Sequence, residues 1–147
     1  MIHINGSYGE GGGQILRTAI SLSILTNKPV EINNIRANRP KPGIKPQHYT
    51  AIKIIKKICN AKTEGLKLGS SNILFSPGEI KGGKYKFDIG TAGSIVLAFQ
   101  ACLLSFLKTK DKISIELNGG TDVKWSPSWD YFYYVFLSLI RKMGIPV

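Results

Sequence analysis

The sequence predicts an α+β fold in which a unit of element order β-α-β-α-β-β occurs twice. Short alternating apolar segments, typical of strands, lie between longer segments whose apolar residues recur at helical spacing. An opening strand runs into a glycine-rich turn in two places, at residues 5–13 and 90–94. Two helices in each unit are expected to cover one face of a sheet. The predicted units are residues 1–84 and 85–147, and the second is expected to lack its last two strands.

The first predicted unit contains four strands and two helices. Its first helix begins at the glycine cluster, and its second is opened by Gln47 and His48 and carries lysines on its outer face. Glycine and serine at residues 69–72 favour a turn between the last two strands. In order, the elements are a strand at 1–4, a helix with apolar positions at 15–24, a strand from 28 to about 35, a helix from 47, and strands at 66–68 and 73–75.

The second predicted unit begins like the first. Residues 131–137 are apolar on nearly every side, which predicts that the last helix is buried in the complete protein. Stacking of these aromatic residues on RNA bases is a weaker interpretation, because they are contiguous rather than set on a strand face. The elements are, in order, a strand at 85–89, the glycine turn at 90–94, a helix at 95–107, a strand at 113–117, a loop at 119–127 and a helix at 129–143.

Composition and charge indicate a globular protein with an excess of cations. The 147 residues are 43% hydrophobic, and the formal net charge is +11. The lysines and arginines recur along the whole chain instead of forming one tail. A polyanionic partner accounts for this charge, and a lysine-rich solvated surface is the alternative.

Cysteine content and hydropathy indicate the cellular compartment of the protein. Cys59 and Cys102 lie far apart in apolar helical segments, which favours buried reduced thiols and a cytoplasmic protein. The longest apolar run, at residues 95–107, is too short to span a bilayer. The N-terminus shows no signal-peptide pattern. No membrane role is therefore expected.

Residues 5–17 carry the strongest local signal for a ligand site. Glycines at a helix N-terminus let the backbone approach an anion, and the free N–H groups and the helix dipole favour negative charge. Gln14 and Arg17 share one helix face, where a cation opposes the dipole and is better explained by a bound phosphate. Glu10 among such glycines requires a bridging Mg²⁺ or Mn²⁺. A tight turn with a solvated Glu10 is the alternative interpretation.

The loop at residues 36–46 is a second candidate for anion binding. It combines Arg36 and Arg39 with two lysines and three prolines, and it contains no acidic residue. The prolines stiffen the loop, so that its charges lose less entropy on binding. A solvated connector is the alternative. His48 shares the apolar face of the following helix, which favours a hydrogen-bonded core or rim residue over a catalyst.

Four segments together resemble one family. They are residues 6–17, residues 36–43 with Gln47 and His48, residues 90–94 with Gln100, and residues 119–122 with Ser126 and Pro127. In kind and order they are similar to the motifs of the RNA 3′-terminal phosphate cyclases. The resemblance covers essentially all of this chain but only the front of the family's chain. It implies repeated units that resemble the C-terminal domain of a bacterial translation initiation factor, with a small inserted domain and further sequence beyond Val147.

The resemblance implies an enzyme of the ligase class that acts in RNA processing. ATP adenylates a histidine, AMP passes to an RNA 3′-phosphate, and the vicinal 2′-OH displaces AMP to form the 2′,3′-cyclic phosphate. The family's nucleophilic histidine lies near its C-terminus, so no catalytic residue is expected in this sequence and this chain alone is expected to be inactive. The implied ligands are ATP, Mg²⁺ or Mn²⁺, and RNA with a 3′-phosphate end.

The resemblance also implies roles for individual residues. Glu10 resembles the metal ligand, and Pro127 resembles one wall of the adenine slot. Asn5 stands where the family commonly has Asp, and residues 124–125 differ from the family's usual pair. The residues that resemble polar contacts to nucleotide and RNA phosphates are Gln14, Arg17, Arg36, Arg39, Gln47, His48 and Gln100.

Two other functions compete with this expectation. A non-catalytic cyclase-like factor that binds RNA during ribosomal RNA processing would share the fold, but that branch departs from the glycine-rich Glu10 motif and from Gln47-His48, which this sequence keeps. The enolpyruvyl transferases are similarly built and would use the basic residues for a phosphorylated sugar or shikimate. The sequence predicts no oligomeric state, RNA preference or metal identity.

Overall fold

The structure, a computed structural model, is an α+β fold with two sheets, and it describes residues 1–90 and 93–147. The fold class predicted from the sequence is therefore confirmed. The elements are β1 (Ile2–Asn5), α1 (Gly13–Thr26), β2 (Val30–Asn33), α2 (Pro46–Ile58), β3 (Lys62–Glu64), β4 (Ile73–Ser76), β5 (Gly83–Asp88), α3 (Ile95–Phe106), β6 (Ile113–Asn118), a π-helical segment (Tyr131–Leu137) and α4 (Ser138–Lys142).

The first sheet has the strand order β1-β2-β4-β3. Strands β1 and β2 are parallel, with Ile2 opposite Val30, and α1 is the crossover that such a parallel pair requires. Strand β4 runs antiparallel to both β2 and β3. Val30 and Ile32 alternate with half-buried polar neighbours, so one face of this sheet carries the core.

Three helices pack together over this sheet. Helix α1 buries Leu16, Ile20 and Ile24, and α2 buries an isoleucine stripe that includes Ile52 and Ile55. Helix α3 packs against both α1 and α2, and it also contacts β6. Strands β5 and β6 form the second, parallel sheet. The side chains of one continuous apolar cluster therefore connect the two sheets through the helical layer.

The prediction of a strand at residues 66–68 is wrong. The last strand before β4 is β3, which ends at Glu64, and Leu68 is exposed in a turn. Gly65 has a φ of +74°, which ends the extended conformation before the apolar residues that suggested a strand. The backbone groups of the following loop bond to the basic loop instead of to β4. The local alternation of apolar residues does not encode which distant segment these backbone groups bond to, and this is why the prediction fails.

The predicted helix at residues 129–143 is present, but its middle is a π-helix. Phe132 is buried and stacks on Phe99 and Phe136. The neighbouring Tyr134 is 69% exposed and Leu139 is 55% exposed, so most of the apolar surface of this helix faces outward in the described chain. Burial of that surface in a longer protein stays a prediction, as does the proposal that the two halves are copies of one unit.

Three smaller expectations concern particular residues. Cys59 and Cys102 are buried free thiols, as predicted. The predicted glycine turn at residues 90–94 includes Thr91 and Ala92, which lie outside the described residues. Within residues 1–90 and 93–147, none of the helices has the length and apolar character that crossing a membrane requires.

Candidate functional site

The N-terminus of α1 is an open anion-binding position. Gly12 is the N-cap residue, and no side chain caps the helix. The first turn contains no acidic residue that would neutralise the positive end of the dipole. A 14-residue helix thus presents unpaired N–H groups next to backbone that carries no side chain. This geometry suits a phosphate or carboxylate, as the sequence predicts.

Asn5 holds the loop that leads into this helix. Its Oδ1 accepts hydrogen bonds from the Ser7 N–H at 3.1 Å and the Ser7 hydroxyl at 2.8 Å. Asn34 Nδ2 donates to the same oxygen at 3.3 Å. An amide oxygen therefore performs here the accepting role that an aspartate oxygen would perform, and Asn5 holds the turn.

The basic loop lies directly against the glycine loop. Asn38 Nδ2 donates to the carbonyl of Ser7 at 3.0 Å, and Arg39 Nη2 donates to Glu10 Oε2 at 2.9 Å. A Cβ placed on Gly12 would lie 3.5 Å from Arg39 Nη2. The second candidate segment and the first therefore form one site, and Arg39 reaches the start of α1.

The loop between β3 and β4 supports the basic loop from the other side. Ile35 N–H donates to Ser71 O at 2.8 Å, and Ile44 N–H donates to Ser70 O at 3.0 Å. Gly69 N–H returns a bond to Ile44 O at 2.8 Å. A Cβ on Gly43 would lie 2.2 Å from the carbonyl oxygen of Gly69, so only glycine permits this approach. Residues 69–71, which the sequence predicts as a turn, thus support the site.

His48 connects the beginnings of α1 and α2. Its Nδ1 accepts the N–H of Lys45, the N-cap residue of α2, at 3.3 Å. A Cβ on Gly13 would lie 2.0 Å from His48 Nε2, so the imidazole occupies the space that this glycine leaves. Burial lowers the pKa of the imidazole to about 3, and the positive charges of Arg17, Arg36 and Lys45 act in the same direction.

The neutral imidazole has one defined tautomer in this arrangement. Because Nδ1 of His48 accepts a hydrogen bond, the proton is on Nε2. Nε2 lies beside Gly13, in the first turn of α1. His48 is therefore a hydrogen-bond donor at the same helix terminus that presents free backbone N–H groups. It joins the site without carrying a charge.

Arg17 is a buried cation. Its side chain is only 8% exposed, and Nη2 donates to Gln14 Oε1 at 2.6 Å. Gln14 Nε2 in turn donates to Thr18 Oγ1 at 2.8 Å. Burial lowers the pKa of Arg17 from its ordinary value. In the described part of the chain no carboxylate pairs with this guanidinium, and a buried cation without a counter-ion is costly for the fold.

Two further guanidinium donors lack partners. Nε of Arg36 and Nε of Arg39 are buried, and neither makes a hydrogen bond to any residue within 1–90 or 93–147. Burial lowers the pKa of Arg36, and the charge of Arg39 lowers it further. Three arginines with incomplete neutralisation surround the start of α1. This arrangement attracts an anion with several acceptor oxygens.

A small cavity adds one more predicted residue. Gln100 of α3 lines it together with Gln14, Arg17 and Thr18 of α1, and its volume is about 40 Å³. This space holds water-sized groups, so it extends the anion site rather than forming a nucleotide pocket by itself. Residues from the second half of the chain thereby contribute to the site of the first half.

The structure brings most of the predicted site residues together. Glu10, Gln14, Arg17, Arg36, Arg39, His48 and Gln100 meet around the N-terminus of α1. Gln47 is half-buried in the first turn of α2, and Pro127 lies in the loop before the last helix. No contact described for residues 1–90 and 93–147 joins either of these two to the others.

Sequence reasoning missed Asn38 and Thr18. Asn38 links the two loops, and Thr18 orients Gln14. Thr18 stands four positions after Gln14 on the same helix face, and this spacing is a signal that was available. Asn38 had no comparable signal, because its partner Ser7 is distant in the chain.

Glu10 is the only acidic side chain at the site among the residues described. It is 89% exposed and is paired with Arg39. Nowhere in the described ranges do three or more histidine, cysteine or acidic side chains form a cluster that would hold a metal ion. One exposed carboxylate fits Mg²⁺ or Mn²⁺ when phosphate oxygens and waters supply the remaining ligands.

The pKa of His48 predicts a dependence of stability on pH. At pH values above about 6.5, His48 is neutral in both folded and unfolded chains. Below that pH the unfolded chain takes up a proton that the folded chain does not, so the free energy of unfolding falls as the pH falls towards 3. We expect a loss of about 2 kcal/mol between pH 7 and pH 5. Urea unfolding at several pH values measures it.

The matched variants are His48→Gln and His3→Gln. His3 is exposed and pairs with Glu31 on the first sheet, away from the site. His48→Gln should flatten the pH dependence between pH 7 and pH 5, and His3→Gln should leave it in place. Parallel curves for the wild type and His48→Gln would show that His48 is not the buried neutral group.

Comparison with known proteins identifies the family. A sequence model of the RNA 3′-terminal phosphate cyclase family matches residues 8–147. Proteins named RNA 3′-terminal phosphate cyclase are similar to nearly the whole chain: that of Pyrococcus furiosus is 57% identical over 99% of the chain, and that of Archaeoglobus fulgidus is 54% identical over 98%.

The cyclase of Methanopyrus kandleri is 53% identical over 98% of the chain. In each case the chain spans only about two-fifths of the relative's own length, from 41% to 44%. The family match nevertheless covers every element from α1 onward, together with the basic loop and the glycine loop from Tyr8. The chain therefore belongs to the RNA 3′-terminal phosphate cyclase family.

Proposed function

We propose that the protein to which this chain belongs converts the 3′-terminal phosphate of RNA to a 2′,3′-cyclic phosphate at the expense of ATP. The proposal rests on the family membership of the chain. The observation that carries it in the structure is the buried Arg17, which has no carboxylate partner in the described residues and stands one turn into α1. A fold tolerates such a cation when a bound anion compensates it.

The proposed chemistry requires three displacements at phosphorus. In the first, a nucleophile of the enzyme bonds to the α-phosphorus of ATP, and pyrophosphate leaves. An oxygen of the RNA 3′-phosphate attacks the phosphorus of an adenylyl group, and the bond from that group to the enzyme breaks. The 2′-oxygen then loses its proton and bonds to the terminal phosphorus, and AMP leaves. Each step places additional negative charge on phosphate oxygens, which cations and fixed N–H donors stabilise.

The residues of this chain supply that stabilisation. Arg17, Arg36 and Arg39 offer guanidinium donors around the start of α1, where the helix N–H groups are free. His48 adds a neutral Nε2–H donor beside Gly13. Because these groups are held by hydrogen bonds before a ligand arrives, little reorganisation is needed during the reaction.

We assign Glu10 the role of metal ligand. Mg²⁺ or Mn²⁺ would supply charge neutralisation and polarise a phosphoryl oxygen when bound. Glu10 is exposed, and its ion pair with Arg39 is the contact that a metal would replace. An exposed pair of this kind contributes little to stability, so the exchange has a low cost.

In the full-length protein, Arg17→Met is expected to reduce the rate of cyclisation by about 10²- to 10³-fold, because one hydrogen-bond donor to the developing negative charge is lost. The melting temperature should stay the same or rise, because a buried charge is replaced by an apolar side chain of similar length. Cyclisation of an oligonucleotide with a 3′-phosphate and thermal unfolding are the two measurements.

The control for Arg17→Met is Lys112→Met. Lys112 is exposed in the turn before β6. Lys112→Met removes one positive charge outside the site, as Arg17→Met does within it. The rate of cyclisation should therefore be retained. Full activity of Arg17→Met would exclude Arg17 from phosphate binding.

Glu10→Gln is expected to raise the concentration of Mg²⁺ or Mn²⁺ needed for half-maximal activity by about tenfold or more. Glu79→Gln, an exposed change outside the site, is the control. A metal titration of cyclisation measures both variants. The ligand assignment fails if the two titrations coincide with that of the wild type.

The 147-residue chain is not expected to become covalently labelled by ATP. His48 Nδ1 is occupied by the N–H of Lys45, and Nε2 carries a proton beside Gly13, so neither nitrogen is a free nucleophile. We propose that the adenylated histidine lies outside this sequence. Incubation with ATP labelled at the α-phosphate, followed by denaturing electrophoresis, tests this. Label that remains on the chain and is lost in His48→Ala would identify His48 as the nucleophile.

A further inference from the structure

An open groove runs along the outer face of α2, on the side away from the core. Its volume is about 620 Å³, and side chains of α2 and β3 line it. Nothing in the candidate site described above uses these side chains. The members that matter for its chemistry are Tyr49, Lys53, Lys56, Lys57, Asn60 and Thr63.

Helical spacing explains why the groove is basic. Tyr49, Lys53 and Lys57 are spaced four apart, and Lys56 and Asn60 lie three positions after Lys53 and Lys57. They therefore form one stripe along α2 and the residue that follows its C-cap. The buried stripe of His48 and the isoleucines lies on the opposite side of the helix. The periodicity of the α-helix therefore places the core residues on one side of α2 and a row of lysines on the other.

The Tyr49 end of the groove lies at the same end of α2 as His48, on the other side of the helix. Tyr49 follows His48 directly and shares the first turn of α2 with Gln47. From Tyr49 the lysine stripe extends about 16 Å to Asn60. A chain molecule with its end at the N-terminus of α1 would pass around the first turn of α2 to reach this row of lysines.

The charges in the groove are not neutralised within the protein. Lys56 Nζ donates to Thr63 Oγ1 at 2.9 Å, which holds one ammonium group over the groove. Lys53 and Lys57 are exposed and make no ion pair within the described residues. Glu64, next along β3, faces the other side of the sheet because strand residues alternate.

The lysine arrangement is unfavourable for the helix alone. Lys53 and Lys57 are four positions apart, and like charges at this spacing repel each other. The C-terminal dipole offsets part of this cost at Lys56 and Lys57 but less at Lys53, which stands mid-helix. A polyanion in the groove would relieve the repulsion.

We propose that this groove binds the sugar–phosphate backbone of single-stranded RNA on the 5′ side of its terminal phosphate. The inference deepens the proposed function and rests on it, since it takes the 3′-phosphate to lie at the N-terminus of α1. Lys53, Lys56 and Lys57 contact phosphates, and Tyr49, which is half-buried against the core and lines the groove, offers its remaining surface to a base. Recognition of this kind depends on charge and stacking and is tolerant of sequence.

The experiment uses the full-length protein that contains this chain and compares two RNA probes of different length. A dinucleotide with a 3′-phosphate leaves most of the groove empty, and a 12-nucleotide single strand with a 3′-phosphate fills it. Lys53→Glu/Lys57→Glu should weaken binding of the 12-mer at least tenfold, measured by fluorescence anisotropy, and leave binding and cyclisation of the dinucleotide unchanged. For Lys53→Gln/Lys57→Gln, the slope of log K against log salt should decrease in magnitude by about 1.4, because two phosphate contacts are lost.

The control variant is Lys110→Glu/Lys112→Glu, which makes the same charge change in the exposed turn before β6. It should bind both probes as the wild type does. Lys53→Gln/Lys57→Gln also serves if the double charge reversal perturbs folding.

Each remaining outcome overturns one proposal. Unchanged binding of the 12-mer by the groove variants, with cyclisation intact, overturns the groove and leaves the proposed function standing. Absence of cyclisation by the wild type overturns the proposed function, while a length-dependent effect of the lysine variants still supports an RNA groove. Displacement of the 12-mer by polyglutamate as readily as by polyuridylate would indicate an acidic protein segment as the occupant and overturn the RNA assignment.

Discussion

The contact between His48 and Gly13 is the constraint on which the site depends. A Cβ at Gly13 would lie 2.0 Å from Nε2 of His48, so the two helix N-termini approach as they do because one of these residues has no side chain. The imidazole simultaneously caps α2 through the N–H of Lys45. This single side chain thus positions the end of the basic loop, the beginning of α2 and the open end of α1 relative to one another.

The positive charges at the site reduce the stability of the fold when no anion is bound. Arg17 is buried without a carboxylate partner in the described residues, and Arg36 and Arg39 each retain a buried Nε without an acceptor there. Burial lowers the pKa of Arg17, and burial together with the charge of Arg39 lowers the pKa of Arg36. Burial and the neighbouring positive charges keep His48 neutral. A cluster of this kind is better explained by the binding of an anion than by the needs of the core.

Local patterns predicted the fold class and nearly every element, because helices and strands follow from the spacing of nearby apolar residues. The exception at residues 66–68 is instructive. The apolar alternation there is real, yet Gly65 at a φ of +74° ends the strand, and the loop bonds to the basic loop instead. Which backbone groups a short segment pairs with is decided by distant residues, so alternation alone cannot distinguish a strand from a supporting loop.

The sequence by itself determined that a glycine-rich helix start and a stiff basic loop are present, since both are properties of consecutive residues. It also showed that Gln14 and Arg17 share a helix face. Only the tertiary structure decided that Gln100 joins Arg17 and that His48 is a neutral donor. Those properties depend on burial and on contacts between distant segments, which set the dielectric environment and the hydrogen-bond partner of each group.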